Sequence, residues 1–121
     1  MIESPSFTVG IEEEYLVVDR ETRDLVREPS EKFLKACSER IGDRVAPEYL
    51  QCQVEVGTRV HRTVPEAGAE LAELRHDIAE IAGAYGYMPI AASTHPFASW
   101  RKQSHTRKPR YDGLHADLGL A

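Results

Sequence analysis

An α+β fold, a mainly antiparallel sheet with helices packed on one face, is predicted by three features of this sequence. Two stretches, 7–18 and 45–58, alternate apolar and polar residues with the period of a strand. Two others, 30–41 and 63–85, repeat apolar residues at helical spacing. The elements follow one another as strand, helix, strand, helix, strand without an internal repeat, and 121 residues suit one domain, residues 1–121, with one core.

Taken in order, residues 1–6 read as a frayed arm. From Phe7 to Val18, Phe7, Val9, Ile11, Tyr15 and Val17 share one strand face, and Leu16 and Val18 close the other. A polar turn, Asp19 to Asp24, lets Leu25-Val26 pair back as a short hairpin strand. Ser30 is a plausible N-cap for a helix carrying Phe33, Leu34, Cys37 and Ile41, which Gly42 ends. From Val45 to Thr58 a half-buried strand is expected, with Leu50, Cys52, Val54 and Val56 inward and Tyr49, Gln51, Gln53, Glu55 and Gly57 outward. Thr63-Val64-Pro65-Glu66 is a capping box. It opens a helix with Leu71, Leu74, Ile78, Ile81, Ala82 and Tyr85 on one stripe and its charged residues, Glu70 among them, mostly elsewhere. Tyr87 to Ser93 reads as a third main strand. A Pro-broken segment with His95 and Trp100 follows, then a basic loop and a terminal helix from about Tyr111.

Composition sets bounds. With 41% hydrophobic and 29% charged residues the chain is an ordinary globular one, and a net charge of −5 argues against nucleic acid or an anionic membrane as partner. No apolar run has membrane-spanning length, and the first residues lack a signal-peptide pattern. Cys37 and Cys52 stand in apolar faces outside any CxxC motif, so buried free thiols and a cytoplasmic location are expected. No P-loop, GxGxxG or GxSxG motif is present.

The anomaly is Gly10-Ile11-Glu12-Glu13-Glu14-Tyr15, three carboxylates inside an apolar strand. Alternation puts Glu12 and Glu14 on one side and Glu13 on the apolar side, where a salt bridge to an arginine under the helices suits it. Bare carboxylates two residues apart on a strand, about 6.5–7 Å, repel by roughly 2 kcal/mol at an effective dielectric of 20. A divalent cation converts that penalty into a site, because hard cations take carboxylate oxygens. The competing account is a solvated strand face. Glu55 on the second strand extends the acidic face, whereas Glu48 falls on the opposite side unless a bulge or bend, helped by Pro47, brings it round. Gln51 and Gln53 either orient a ligand or are exposed strand amides. Thr58 is a weak ligand candidate. His95 has a turn role as its alternative, and Arg110 is either a bidentate anion donor or part of a solvated basic loop. Trp100 is expected in core or interface packing, and His61, His76, His105 and His115 at the surface.

Three blocks carry a resemblance: Gly10-Ile11-Glu12-Glu13-Glu14-Tyr15; Glu48 with Glu55-Val56-Gly57-Thr58; and Ala92-Ser93-Thr94-His95-Pro96-Phe97 with Trp100, Gln103, Thr106 and Arg110-Tyr111. In this order and spacing they resemble the type 2 glutamate–cysteine ligase, or carboxylate–amine ligase, family, related in fold to glutamine synthetase. The resemblance implies an ATP-dependent ligase that phosphorylates a carboxylate and lets an amine displace the phosphate. It implies a partial half-barrel sheet, Mg²⁺ (or Mn²⁺) as metal, and ATP, a glutamate-like carboxylate and an amine such as cysteine as substrates. Its metal-holding glutamates map onto Glu12, Glu14 and Glu55, with Glu48 a further ligand; Gln53, Thr58, His95 and Arg110 become substrate-binding candidates. Family members run several-fold longer, so the chain resembles their N-terminal part. Association with the missing part or a homo-oligomer is therefore expected, and little turnover by the 121 residues alone. The alternatives are a metal-dependent phosphohydrolase and a non-catalytic remnant or assembly module.

Overall fold

The computed structural model describes residues 5–118; residues 1–4 of the expected arm lie outside them. The elements are β1 (Glu12–Asp19), α1 (Glu31–Ile41), a 3₁₀ turn (Gly42–Arg44), β2 (Val45–Pro47), β3 (Gln53–Gly57), α2 (Val64–Ala84), β4 (Tyr87–Ile90), a second 3₁₀ turn (Trp100–Lys102) and α3 (Pro109–Asp117). They form one four-stranded sheet in the order β2-β3-β1-β4, antiparallel at every junction. The α+β class expected from the sequence is what the chain adopts.

Local chemistry starts each helix where the residues ask for it. Ser30 caps α1, its Oγ accepting the Lys32 backbone N–H. Thr63 and Glu66 exchange the two bonds of a capping box at the head of α2. Gly42 after α1 and Gly86 between α2 and β4 both have positive φ, 75° and 73°, a backbone that glycine takes without steric cost.

The core lies between the two helices and one face of the sheet. Tyr15 and Val17 of β1 and Val54 and Val56 of β3 meet Phe33, Cys37 and Ile41 of α1 and Leu71, Leu74, Ile78, Ile81 and Ala82 of α2. Phe33, fully buried, sets its ring edge-on against Tyr85 and Tyr87 at 5.8 and 5.5 Å. Phe33→Ala is expected to cost about 3 to 5 kcal/mol in urea unfolding, from lost burial plus a cavity. Cys37 and Cys52 are free and buried, and burial pushes both thiols up to about 11. Both are accordingly protonated at neutral pH.

Two expectations are corrected. The strand expected over 45–58 is a hairpin: β2 and β3 pair with each other, Val45 opposite Val56 and Pro47 opposite Val54. Between them the chain is drawn off by the segment 104–106, Leu50 bridging His105 and Thr106 N donating to Tyr49 O. Phe7 is not in the core but 82% exposed, because β1 begins only at Glu12 and Val9 instead bridges His61. Trp100, expected in core or interface packing, is 65% exposed and so lies outside the core. Glu70, placed with the charged residues off the apolar stripe of α2, is nonetheless buried among cationic partners. Leu25 does pair back, bridging Val18.

Candidate functional site

The face of the sheet turned away from α1 and α2 collects the carboxylates. In the β1–β3 register Glu14 stands directly opposite Glu55, and Glu12 opposite Gly57. Antiparallel partners share a face, so Glu12, Glu14 and Glu55 project together while Tyr15, Val54 and Val56 turn to the core. The β2–β3 hairpin then carries Glu48 back to the same place. One carboxylate oxygen each from Glu14, Glu48 and Glu55 lies within 4.8 Å of the others. Strict alternation had put Glu48 on the far face. The hairpin resets the alternation: Ala46 pairs with Glu55, and Glu48, two residues on, follows the same face.

Glu48 is held there. Its carboxylate accepts the Tyr111 hydroxyl at 2.8 Å and the Tyr49 backbone N–H at 3.0 Å. Thr106 Oγ1 and Lys108 Nζ donate to the backbone carbonyls of Glu48 and Pro47, so the start of α3 and the loop before it lock the hairpin bend. The Glu48 bond and burial raise the Tyr111 phenol above its ordinary pKa, which keeps it a proton donor to Glu48. Lys108 and Tyr111 are not among the candidate site residues of the sequence, because they reach the site from some 50 residues downstream of Glu55.

The charges in the cluster are left uncompensated. None of the ion pairs among the described residues includes Glu12, Glu14, Glu48 or Glu55. Loss of hydration, and then the negative charges of Glu12, Glu48 and Glu14, hold the Glu55 carboxyl above its usual range against a weaker pull from Lys108. Glu13, on the opposite face, is paired with Arg75 of α2 (Nε to Oε2, 2.7 Å) and accepts the Tyr15 hydroxyl. The salt bridge expected for it is present. Neighbouring glutamates in one strand thus meet opposite fates: one neutralised, two bare. Three carboxylates at this spacing with no ion-pair partner among the described residues are a donor set suited to a hard divalent cation.

Glu12 lies outside the closest trio and lines an open groove of about 320 Å³ with Glu55, Thr58, Asp43, Arg44 and Arg59. Thr58 Oγ1 accepts from Ile11 N and donates to Arg59 O, so its hydroxyl is engaged within the protein. Gln53 borders a separate hollow with Glu14 and Ala91–Ser93, and its Oε1 accepts the Leu50 N–H. Gln51 donates to His105 O. Arg110 is exposed at the head of α3, its guanidinium over the Tyr111 ring. His95 is not gathered into the site: Nε2 bonds Arg23 O at 2.8 Å while Nδ1 accepts from Phe97 and Ala98, which makes it the pin of its own turn. His61 and His105 are half-buried and bonded to Glu70 and Asp112, not at the surface. No described helix is long and apolar enough to cross a membrane.

Comparison with known proteins gives the family. Residues 8–119 match glutamate–cysteine ligase family 2. Curated proteins called "Putative glutamate–cysteine ligase 2" are similar to the chain. The one from Jannaschia sp. is 53% identical over 93% of this chain and 30% of its own length. That from Rhodospirillum rubrum is 51% identical over 94% and 30%, and that from Ruegeria pomeroyi 50% over 93% and 29%. The chain therefore spans about three tenths of the length of these relatives. With a match running through nearly all of its residues, the chain belongs to glutamate–cysteine ligase family 2.

Proposed function

We propose that this segment supplies the acidic, metal-holding part of the ATP site of a carboxylate–amine ligase, with a glutamate-like carboxylate and an amine such as cysteine as substrates. The reaction class is an attack of a carboxylate oxygen on the γ-phosphorus of ATP, ADP leaving, followed by displacement of phosphate by the amine to form an amide. The observation that carries the proposal is the convergence of one carboxylate oxygen each from Glu14, Glu48 and Glu55 within 4.8 Å, none of the three in an ion pair among the described residues. The names of the relatives supply the carboxylate and the amine.

A bound Mg²⁺ or Mn²⁺ would neutralise charge on the phosphate oxygens, which in phosphoryl transfer is most of what an enzyme contributes besides positioning. Glu14, Glu48 and Glu55 are the residues that would hold it. Glu12 adds charge beside Glu55 from its own strand and supports a second cation in the adjoining groove. Tyr111 and the Tyr49 N–H orient the Glu48 carboxylate, as partners behind metal ligands commonly do. Sheet register makes the arrangement rigid: Glu14 and Glu55 sit on paired strands and cannot drift apart without breaking the ladder.

The test has two stages. Mn²⁺ titrated into the chain and followed by electron paramagnetic resonance is expected to bind, more weakly in Glu14→Gln and Glu48→Gln, and unchanged in His95→Ala. In a protein carrying this segment at the relatives' full length, ADP release that requires both glutamate and an amine supports the ligase. Phosphate release with no amine present would make it a phosphohydrolase.

A further inference from the structure

Two arginines border the carboxylate groove at the end away from Glu48, and the metal reading leaves them without a task. Arg44 follows α1, and Arg59 follows β3. Both line the groove with Glu12, Glu55 and Thr58. Glu70 of α2 ties them together. Arg44 Nη1 donates to Glu70 Oε1 at 2.7 Å, and the Arg59 backbone N–H donates to Oε2 at 2.9 Å. The Arg59 guanidinium lies 3.8 Å from Oε1, and His61 Nε2 meets Oε2 at 2.5 Å. Glu70, only 8% exposed, thus gathers donors on both oxygens from two chain segments, the turn after α1 and the stretch Arg59–His61.

A guanidinium carries five N–H donors in a planar fork. Arg44 commits one donor to Glu70 and one to the Ile41 carbonyl, and its others have no hydrogen-bond partner among the described residues. Arg59 makes no side-chain hydrogen bond among the described residues and is 71% exposed in its side chain. The groove walls carry three carboxylates, Glu12, Asp43 and Glu55, against these two cations, and Glu70 already offsets one of them. A bare anion is repelled from such a groove. An anion that arrives with a divalent cation is not, because the cation takes the carboxylates and leaves the guanidiniums for oxygens.

We propose that Arg44 and Arg59 form an oxyanion subsite for the phosphate oxygens of a metal-chelated polyphosphate lying along the Glu12–Glu55 groove, with Glu70 as the positioning residue that holds both arginines at its end. The subsite rests on the metal reading above, and its test separates the two.

Inorganic tripolyphosphate is titrated calorimetrically into the 121-residue chain with saturating Mn²⁺ and without it. Arg59→Gln is chosen because Arg59 is exposed, and Arg44→Lys because it keeps a charge beside Glu70 while losing the fork; thermal melts confirm that both fold. Tripolyphosphate is expected to bind with Mn²⁺ present, and about 10-fold more weakly in either variant, the scale of one charge-assisted contact. Mn²⁺ affinity itself stays unchanged in both. Wild-type tripolyphosphate affinity in both variants, or no tripolyphosphate binding by the wild-type chain, overturns the subsite while Mn²⁺ binding leaves the metal reading intact. Absence of Mn²⁺ binding by the chain alone, with Mn²⁺-chelated tripolyphosphate still held in an Arg59-dependent way, sinks the preformed metal site and leaves the arginine subsite standing.

Discussion

Glu55→Gln is expected to lower Mn²⁺ affinity by on the order of 100-fold and, at the same time, to raise the melting temperature by roughly 4 °C. Opposite signs on binding and stability are what a ligand cluster of like charges produces. Glu55 stands across the sheet from Glu14 and close to Glu48, with Glu12 on the same face. Their mutual repulsion is borne by the fold with no cation of the protein paired to them, and solvent at this half-open face screens it to about 1 kcal/mol for removal of one charge. Glutamine keeps the side chain's size and removes that charge, so the fold gains what the site loses. The pH dependence follows from the raised Glu55 carboxyl. A carboxyl that titrates higher in the folded than in the unfolded chain destabilises the fold only once it ionises. The penalty is absent below the unfolded value near 4.5 and grows as pH rises through the higher native one. Cation binding needs the ionised form, so Mn²⁺ affinity falls as pH drops through a window displaced above that of an ordinary glutamate. Melts of wild type and Glu55→Gln at pH 4 and pH 8 are expected to differ more at pH 8.

What the sequence disclosed and what it hid divide along the range of the contacts involved. The capping box at Thr63, the Ser30 cap and the apolar stripe of α2 depend on residues within one or two turns and are visible as local patterns. The opposite fates of Glu12, Glu13 and Glu14 follow from strand alternation alone. The hairpin between β2 and β3 does not, because apolar and polar residues happen to keep alternating from Tyr49 to Val56 while the chain turns. No Gly or Asn marks that turn; it is enforced by residues 104–106, more than 50 positions away. The same long-range bend determines whether Glu48 reaches the acidic face, so the ligand set was legible only in part. Glu70 illustrates the limit differently. Its helical position is polar by pattern, and nothing near it in sequence announces that Arg44 and His61 converge there.

That convergence makes Glu70→Ala the most destabilising change expected outside the hydrophobic core, at about 3 kcal/mol in urea unfolding at pH 7. The substitution removes a partner from Arg44, from the Arg59 backbone N–H and from His61 at once. Loss of one member of a buried pair costs more than the pair contributed, because the other member keeps its desolvation without its counter-charge. Arg44 is partly solvated, its side chain about one fifth exposed, which sets the figure at the low end for such pairs. Acid reads out the same interaction without mutation. The hydrogen bond to His61, followed in effect by Arg44 and the Arg59 N–H, outweighs burial and holds the Glu70 carboxyl down at about 2. A carboxyl depressed in the folded state stabilises the fold above its unfolded value of 4.5, and that contribution drains away as pH falls from there towards 2. Wild type is therefore expected to lose urea resistance steeply between pH 4.5 and 2, whereas Glu70→Ala, already weakened at neutral pH, loses much less over the same interval. Equal acid slopes in the two proteins would show that Glu70 does not couple α2 to the ends of β2 and β3. The arginines at the head of the carboxylate groove would then owe their position to something else.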